Sequence, residues 1–128
     1  MRALHRLSVL ALAVASICGC SSTVTATDRV QVRFRNATTM TLSDISLQWP
    51  GGSMQSSQLA PGSVSSYEQH DGAYPYGALR VTANGSVRRV QPIDYFGAQP
   101  LAPGRYTYVI SSSTALPDGI DLLLDADR

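Results

Sequence analysis

The chain has 128 residues, ten arginines, no lysine and nine acidic residues, for a formal charge of +1. So even a balance leaves no basic field of the kind that gathers nucleic acid, and the length suits a single domain. With two cysteines and two histidines in all, a disulfide-rich scaffold or a histidine-rich metal cluster is excluded from the start.

The first nineteen residues are unlike the rest. Arg2, His5 and Arg6 form a positive start, and residues 7–15 are a short run of Leu, Val and Ala interrupted only by Ser8. A permanent spanning helix needs roughly 20 apolar residues, so this segment reads as a signal peptide. It ends in Ile17-Cys18-Gly19-Cys20, which resembles the lipobox of bacterial lipoproteins: an aliphatic residue, a small residue, Gly or Ala, then Cys. Ile17, Gly19 and Cys20 fit, whereas Cys18 stands where Ala or Ser is more usual. The resemblance implies cleavage after Gly19 and thioether lipidation of Cys20, so the membrane is the first expected partner. Ser21 stands where inner-membrane retention often shows Asp, and the same resemblance therefore implies an outer-membrane anchor facing the periplasm.

Cleavage would remove Cys18 and lipid would occupy Cys20, leaving no thiol for a disulfide or a metal site. Loss of Arg2 and Arg6 would leave eight positive against nine negative side chains. The predicted organisation is a signal peptide over 1–19, a lipidated cysteine and tether over 20–28, and one domain over 29–128. The tether, SSTVTATD, has no face to bury, and a flexible segment of that length holds a domain within roughly two nanometres of the bilayer.

From residue 29 the chain alternates. In 29–35 (RVQVRFR) the β-formers Val30, Val32 and Phe34 share one face and polar residues the other. Residues 36–39 form a turn. The next strand, 41–49, has Ile45, Leu47 and Trp49 in register, but Leu42 falls out of step across Ser43 and Asp44, which predicts a β-bulge. After the break at Pro50-Gly51-Gly52, residues 54–59 read as a weak polar edge strand, and Pro61-Gly62 turns the chain into a strand over 64–69.

Residues 76–83 carry Leu79, Val81 and Ala83 on one face and lead to Asn84-Gly85, a strong hairpin signal. A two-residue loop there sets Leu79 against Val90 but Val81 against Arg88. Either Arg88 snorkels at the rim, or the loop is longer and the register differs. Two more alternating segments follow, 105–110 and 120–124. With no helical period over three turns, the pattern predicts an all-β antiparallel sandwich. Seven arginines from Arg29 to Arg105 precede a last stretch holding Asp118, Asp121, Asp125 and Asp127, which reads as solvated strand faces and an acidic edge.

Leu101-Ala102-Pro103-Gly104-Arg105-Tyr106 resembles the corner leading into a late strand of immunoglobulin-like, fibronectin-like and transthyretin-like sandwiches. The resemblance implies that Leu101 packs inward and that Tyr106 bonds back to the backbone. The same tetrapeptide at 59–62 is either an equivalent corner or coincidence in an Ala-, Pro- and Gly-rich chain. The wider pattern of residues 60–110 also resembles small bacterial lipoproteins of uncharacterised function, and carries no catalytic residue.

Little else points to chemistry. His70 is the single imidazole beyond the leader, no serine lies in Gly-x-Ser-x-Gly, and no glycine loop leads from a strand into a helix. Glu68, His70 and Asp71 read as a solvated turn. The expectation is a non-catalytic protein without cofactor, a lipid-anchored accessory or scaffold of an envelope protein complex. The alternative is a module for cell-wall glycan or another saccharide, using Tyr67, Tyr74, Tyr76 and Tyr95 as ring platforms; against it, such tyrosines also plug the ends of a core. A hydrolase built on His70 is the weakest option.

Overall fold

In the computed structural model, which describes residues 29–92 and 98–127, the alternation of the first segment becomes a strand with one dry face. β1 (Val30–Asn36) buries Val30, Val32 and Phe34 and turns Gln31, Arg33 and Arg35 outward. The same division recurs in β2 (Leu42–Trp49), β3 (Gly52–Leu59) and β5 (Ala78–Ala83), whereas β7 (Gly104–Ser112) is buried on both faces from Thr107 to Ile110. The short β4 (Glu68–His70), with β6 (Ser86–Val90) and the long β8 (Ile120–Asp127), completes two four-stranded sheets, ordered β4-β1-β7-β8 and β3-β2-β5-β6. Phe34, Tyr108, Ile110 and Ile120 of the first sheet share one core with Leu42, Ile45, Leu47, Leu79 and Val81 of the second. The two sheets thus face each other as a β-sandwich, without a helix among the described residues.

One pairing departs from the antiparallel expectation. β1 and β7 run parallel, from Val30 beside Gly104 to Asn36 beside Ile110. After β1 the chain crosses into the other sheet, so the neighbour of β1 comes from the far end of the sequence, where no hairpin imposes an antiparallel return.

Several local expectations appear in the backbone. The bulge lies where Leu42 loses register: Ser43 pairs with Thr82 but Ser46 with Arg80, and Asp44 has φ 48°. Asn84 and Gly85 have φ 51° and 76°, as a two-residue primed turn requires, and Val81 does lie opposite Arg88. Arg88 snorkels. Its Nη1 donates to the Asp118 carbonyl at 3.2 Å, while the Asp118 carboxylate accepts the Arg89 main-chain N–H at 2.7 Å. This clamp ties β6 to the β7–β8 loop along one open side of the sandwich.

The corner into β7 also forms: the Tyr106 hydroxyl donates to the Ala102 carbonyl at 2.8 Å. Gly104 has φ 151°, and a Cβ there would lie 3.7 Å from the Tyr106 ring. The Leu-Ala-Pro-Gly run at 59–62 is not its equivalent, because it leaves a strand whereas 101–104 enters one.

The strand expected over 64–69 is reduced to a bridge between Val64 and Arg35 and the three residues of β4. Between them Ser65 bonds twice to Phe34, its Oγ accepting the Phe34 N–H and its own N–H donating to the Phe34 carbonyl, both at 2.8 Å. A side-chain oxygen takes the place of a ladder carbonyl there. The polar strand over 54–59 does form an edge, β3.

Asn36, read as a turn residue, instead ends β1 and is fully buried. Its Nδ2 donates to the carbonyls of Met40 at 2.7 Å and Leu59 at 3.0 Å; its Oδ1 accepts the Thr38 N–H at 2.9 Å and the Thr38 hydroxyl at 2.6 Å. One amide thereby fastens β1 to the β1–β2 loop and to the end of β3. Asn36→Ala strands buried polar groups in the β1–β2 loop and at the end of β3, and urea unfolding is expected to show a loss of about 3 kcal/mol. Thr38→Val, which leaves the amide in place, is expected to cost about 1 kcal/mol.

Candidate functional site

Alternation along β1, β7 and β8 assembles a polar cluster on the outer face of the first sheet. Arg33 and Thr107 are register partners on β1 and β7, as are Arg105 and Asp127 on β7 and β8. Tyr67, entering from the β4 side, lies over this surface with the guanidinium carbons of Arg33 and Arg105 at 4.5 and 5.5 Å from its ring centroid. Its hydroxyl donates to Asp127 Oδ2 at 2.6 Å, which also accepts the Thr107 hydroxyl at 2.7 Å. Arg33 Nε donates to Thr107 Oγ1 at 3.0 Å and stands 3.7 Å from the same carboxylate oxygen. The ring thus bridges from one edge of the sheet to the other.

The electrostatics follow from these contacts. Burial of Asp127 opposes its ionisation, but hydrogen bonds from Tyr67 and Thr107 and the charges of Arg33 and Arg35 outweigh it, so the carboxyl titrates below the ordinary aspartate range. The Tyr67 phenol shifts upward: the hydrogen bond to Asp127, then burial and the carboxylate charge, hold its proton against Arg33 and Arg105. The cluster meets its own hydrogen-bonding needs, which suits a latch better than a reactive centre.

A second group closes one end of the core. The Trp49 ring stacks on Tyr108 with centroids 6.2 Å apart, and its Nε1 donates to the Gly72 carbonyl at 3.2 Å. The Tyr108 hydroxyl donates to the Tyr74 carbonyl at 2.5 Å. His70 meets Trp49 edge to face at 5.2 Å, and its buried Nε2 has no hydrogen-bond partner among the described residues. Glu68 Oε2 is 3.9 Å from that nitrogen, while Asp71 turns to Arg29. Among the described residues no three His, Cys, Asp or Glu side chains gather to hold a metal ion.

A third feature was not anticipated from the sequence. The outer face of the second sheet is a polar concavity of about 780 Å³, lined chiefly by Ser46, Gln48, Gln55, Arg80, Arg89 and Gln91. Gln55, Ser46, Arg80 and Arg89 form one row across all four strands. The bulge at Asp44 lies on its wall, and bulges bend the strand that carries them.

The expected platform residues are dispersed. Tyr67 belongs to the latch on the outer face of the first sheet, whereas Tyr74 packs against the core from the inner side. Tyr76 is half-buried, and Tyr95 and Cys20 lie outside the described residues. Arg33, Arg105 and Thr107 were legible only as outward positions on two strands, and Asp127 only as part of an acidic edge. Their convergence depends on the parallel β1–β7 pairing.

Because the Asp127 pKa is depressed, the stability it contributes is present above the ordinary aspartate value and is lost as pH falls through the lowered one. Tyr67→Phe is expected to move Asp127 titration upward, as read by carboxyl carbon NMR. It is also expected to cost about 1 kcal/mol near neutral pH, a difference that narrows in acid.

No protein-family model matches the chain, and no curated protein matches it. An NMR structure of a protein from Eubacterium rectale aligns over 82% of this chain and 94% of its own, with a TM-score of 0.54 and 12% identity. That likeness is one of fold.

Proposed function

We propose that this is a lipid-anchored, non-catalytic binding protein of a bacterial cell envelope, an accessory or scaffold for an envelope complex. The observation that carries the proposal is the run Ile17-Cys18-Gly19-Cys20 behind a basic and then apolar leader, with the first strand beginning at Val30. A lipid on Cys20 and the polar residues 21–28 would hold the sandwich within roughly two nanometres of the bilayer. Ser21 favours the outer membrane. The bond from Tyr106 to Ala102 supports an immunoglobulin-like or transthyretin-like version of the sandwich.

A second reading, saccharide binding, draws its support from the amide- and hydroxyl-lined concavity on the second sheet. The tyrosines favour it less, since Tyr67 is held in the latch on the outer face of the first sheet while Tyr74 packs against the core.

Metabolic labelling with a fatty acid is expected to mark the wild type and not Cys20→Ser, with the variant released from membranes yet unfolding at the same urea concentration. Equal labelling of both would defeat the anchored reading. Affinity capture from detergent-solubilised membranes is expected to retain an envelope protein in stoichiometric amount, and capture of none would defeat the scaffold role.

A further inference from the structure

We infer that the outer face of the second sheet binds an acidic polysaccharide, a carboxylate-bearing glycan strand held by Arg80 and Arg89. This rests on the saccharide reading and is independent of the lipid anchor.

The first observation is a pair of like charges facing each other across two strands. Arg80 and Arg89 are direct cross-strand partners on β5 and β6, and both are exposed. Like charges placed opposite each other on adjacent strands destabilise a sheet. Among the other arginines, Arg29 has Asp71, Arg33 has Asp127, Arg88 has the Asp118 carbonyl and Arg105 lies over the Tyr67 ring, while Arg35 shares with Arg80 and Arg89 the lack of an ion pair among the described residues. Among the described residues neither Arg80 nor Arg89 forms an ion pair. Arg89 is also held in place, since the Asp118 carboxylate accepts its main-chain N–H at 2.7 Å. Two adjacent guanidinium groups, kept unpaired on a braced strand, are suited to bidentate capture of carboxylates.

The second observation is the lining. Around the two cations lie Ser46, Gln48, Gln55, Ser57, Thr82 and Gln91, all groups that exchange hydrogen bonds with hydroxyls. Among the described residues no aromatic ring lines the concavity, so they offer a neutral sugar no stacking platform of the kind on which such binding often relies. Recognition must then come from charge and hydrogen bonds, which selects an acidic chain over a neutral one. Two cations set among six neutral polar groups, with Asp44 the one carboxylate on the wall, match a polymer whose charges are spaced by several hydroxyls.

The third observation is shape. Asp44, at φ 48°, is one of only two non-glycine residues with positive φ among those described, the other being Asn84 in the hairpin turn. Unlike Asn84, Asp44 lies within a strand, where such a conformation is uncommon for a non-glycine residue. Its bulge helps form the wall of the concavity, and the small Ser46 and Ala78 line it. The trough crosses the strands, open to an extended chain.

The test is calorimetric titration of the detergent-solubilised full chain with oligogalacturonate, beside an oligodextran of equal length. Binding of oligogalacturonate is expected, weakened by added salt and by about tenfold or more in Arg80→Gln/Arg89→Gln. The charge-matched control Arg29→Gln/Arg35→Gln, on the other sheet, is expected to stay within about twofold of wild type, since exposed charges at a distance are screened. Equal affinity for oligodextran would overturn the acidic specificity and leave the saccharide reading standing. Absence of binding to either would overturn both. Oligogalacturonate binding unaffected by Arg80→Gln/Arg89→Gln, or weakened equally by the control, would place the site elsewhere and overturn the inference.

Discussion

The buried amide of Asn36 is the constraint on which the sandwich depends. A two-sheet fold must pass its chain between sheets at the ends, and each crossing exposes backbone groups that neither ladder can satisfy. Asn36 resolves this at the first crossing. Its side chain occupies four hydrogen-bonding groups, and its main chain donates to the Ser63 carbonyl and accepts from the Gly62 N–H. The end of β1, the loop into β2 and the exit from β3 are thereby set in one geometry. Hydrophobic burial of Phe34, Leu42 and their neighbours drives the sheets together, while the amide specifies how the chain ends meet.

The two outer faces solve opposite problems. On the first sheet, positive and negative residues from β1, β7 and β8 converge under Tyr67 and neutralise one another. That surface is closed, and its acidic strand β8 lies at an edge where the charges of Asp121, Asp125 and Asp127 discourage pairing with another chain. The second sheet leaves the Arg80 and Arg89 guanidinium groups without an ion pair among the described residues and surrounds them chiefly with amides and hydroxyls. A face that satisfies itself stabilises the fold, and a face that does not is available to a partner. The proposed anchor would keep that available face close to its membrane.

How much could be read beforehand varied with the range of the interaction. Alternation predicted the strands because a period of two depends only on neighbouring residues. The bulge at Ser43 and Asp44, the Asn84-Gly85 hairpin and the Tyr106 corner were also legible, each being determined within a few residues. Residues 64–69 misled because their alternation matched a strand, yet Ser65 uses its hydroxyl where a ladder would use a carbonyl. Asn36 misled because asparagine after an apolar run favours a turn, and its burial depends on carbonyls at Met40 and Leu59. The tyrosines read in sequence as one set of ring platforms, but Tyr67 lies on the outer face of the first sheet while Tyr74 packs against the core.

By itself the sequence determined an all-β domain, its main turns and the single imidazole available beyond the leader, since these follow from composition and from contacts between near neighbours. Tertiary structure alone decided the parallel union of β1 with β7, the joining of Arg33, Tyr67, Thr107 and Asp127 into one latch, and the polar trough across β3, β2, β5 and β6. Each unites residues distant in sequence, and strand order is set by which faces bury the most apolar surface together. No local pattern carries that information.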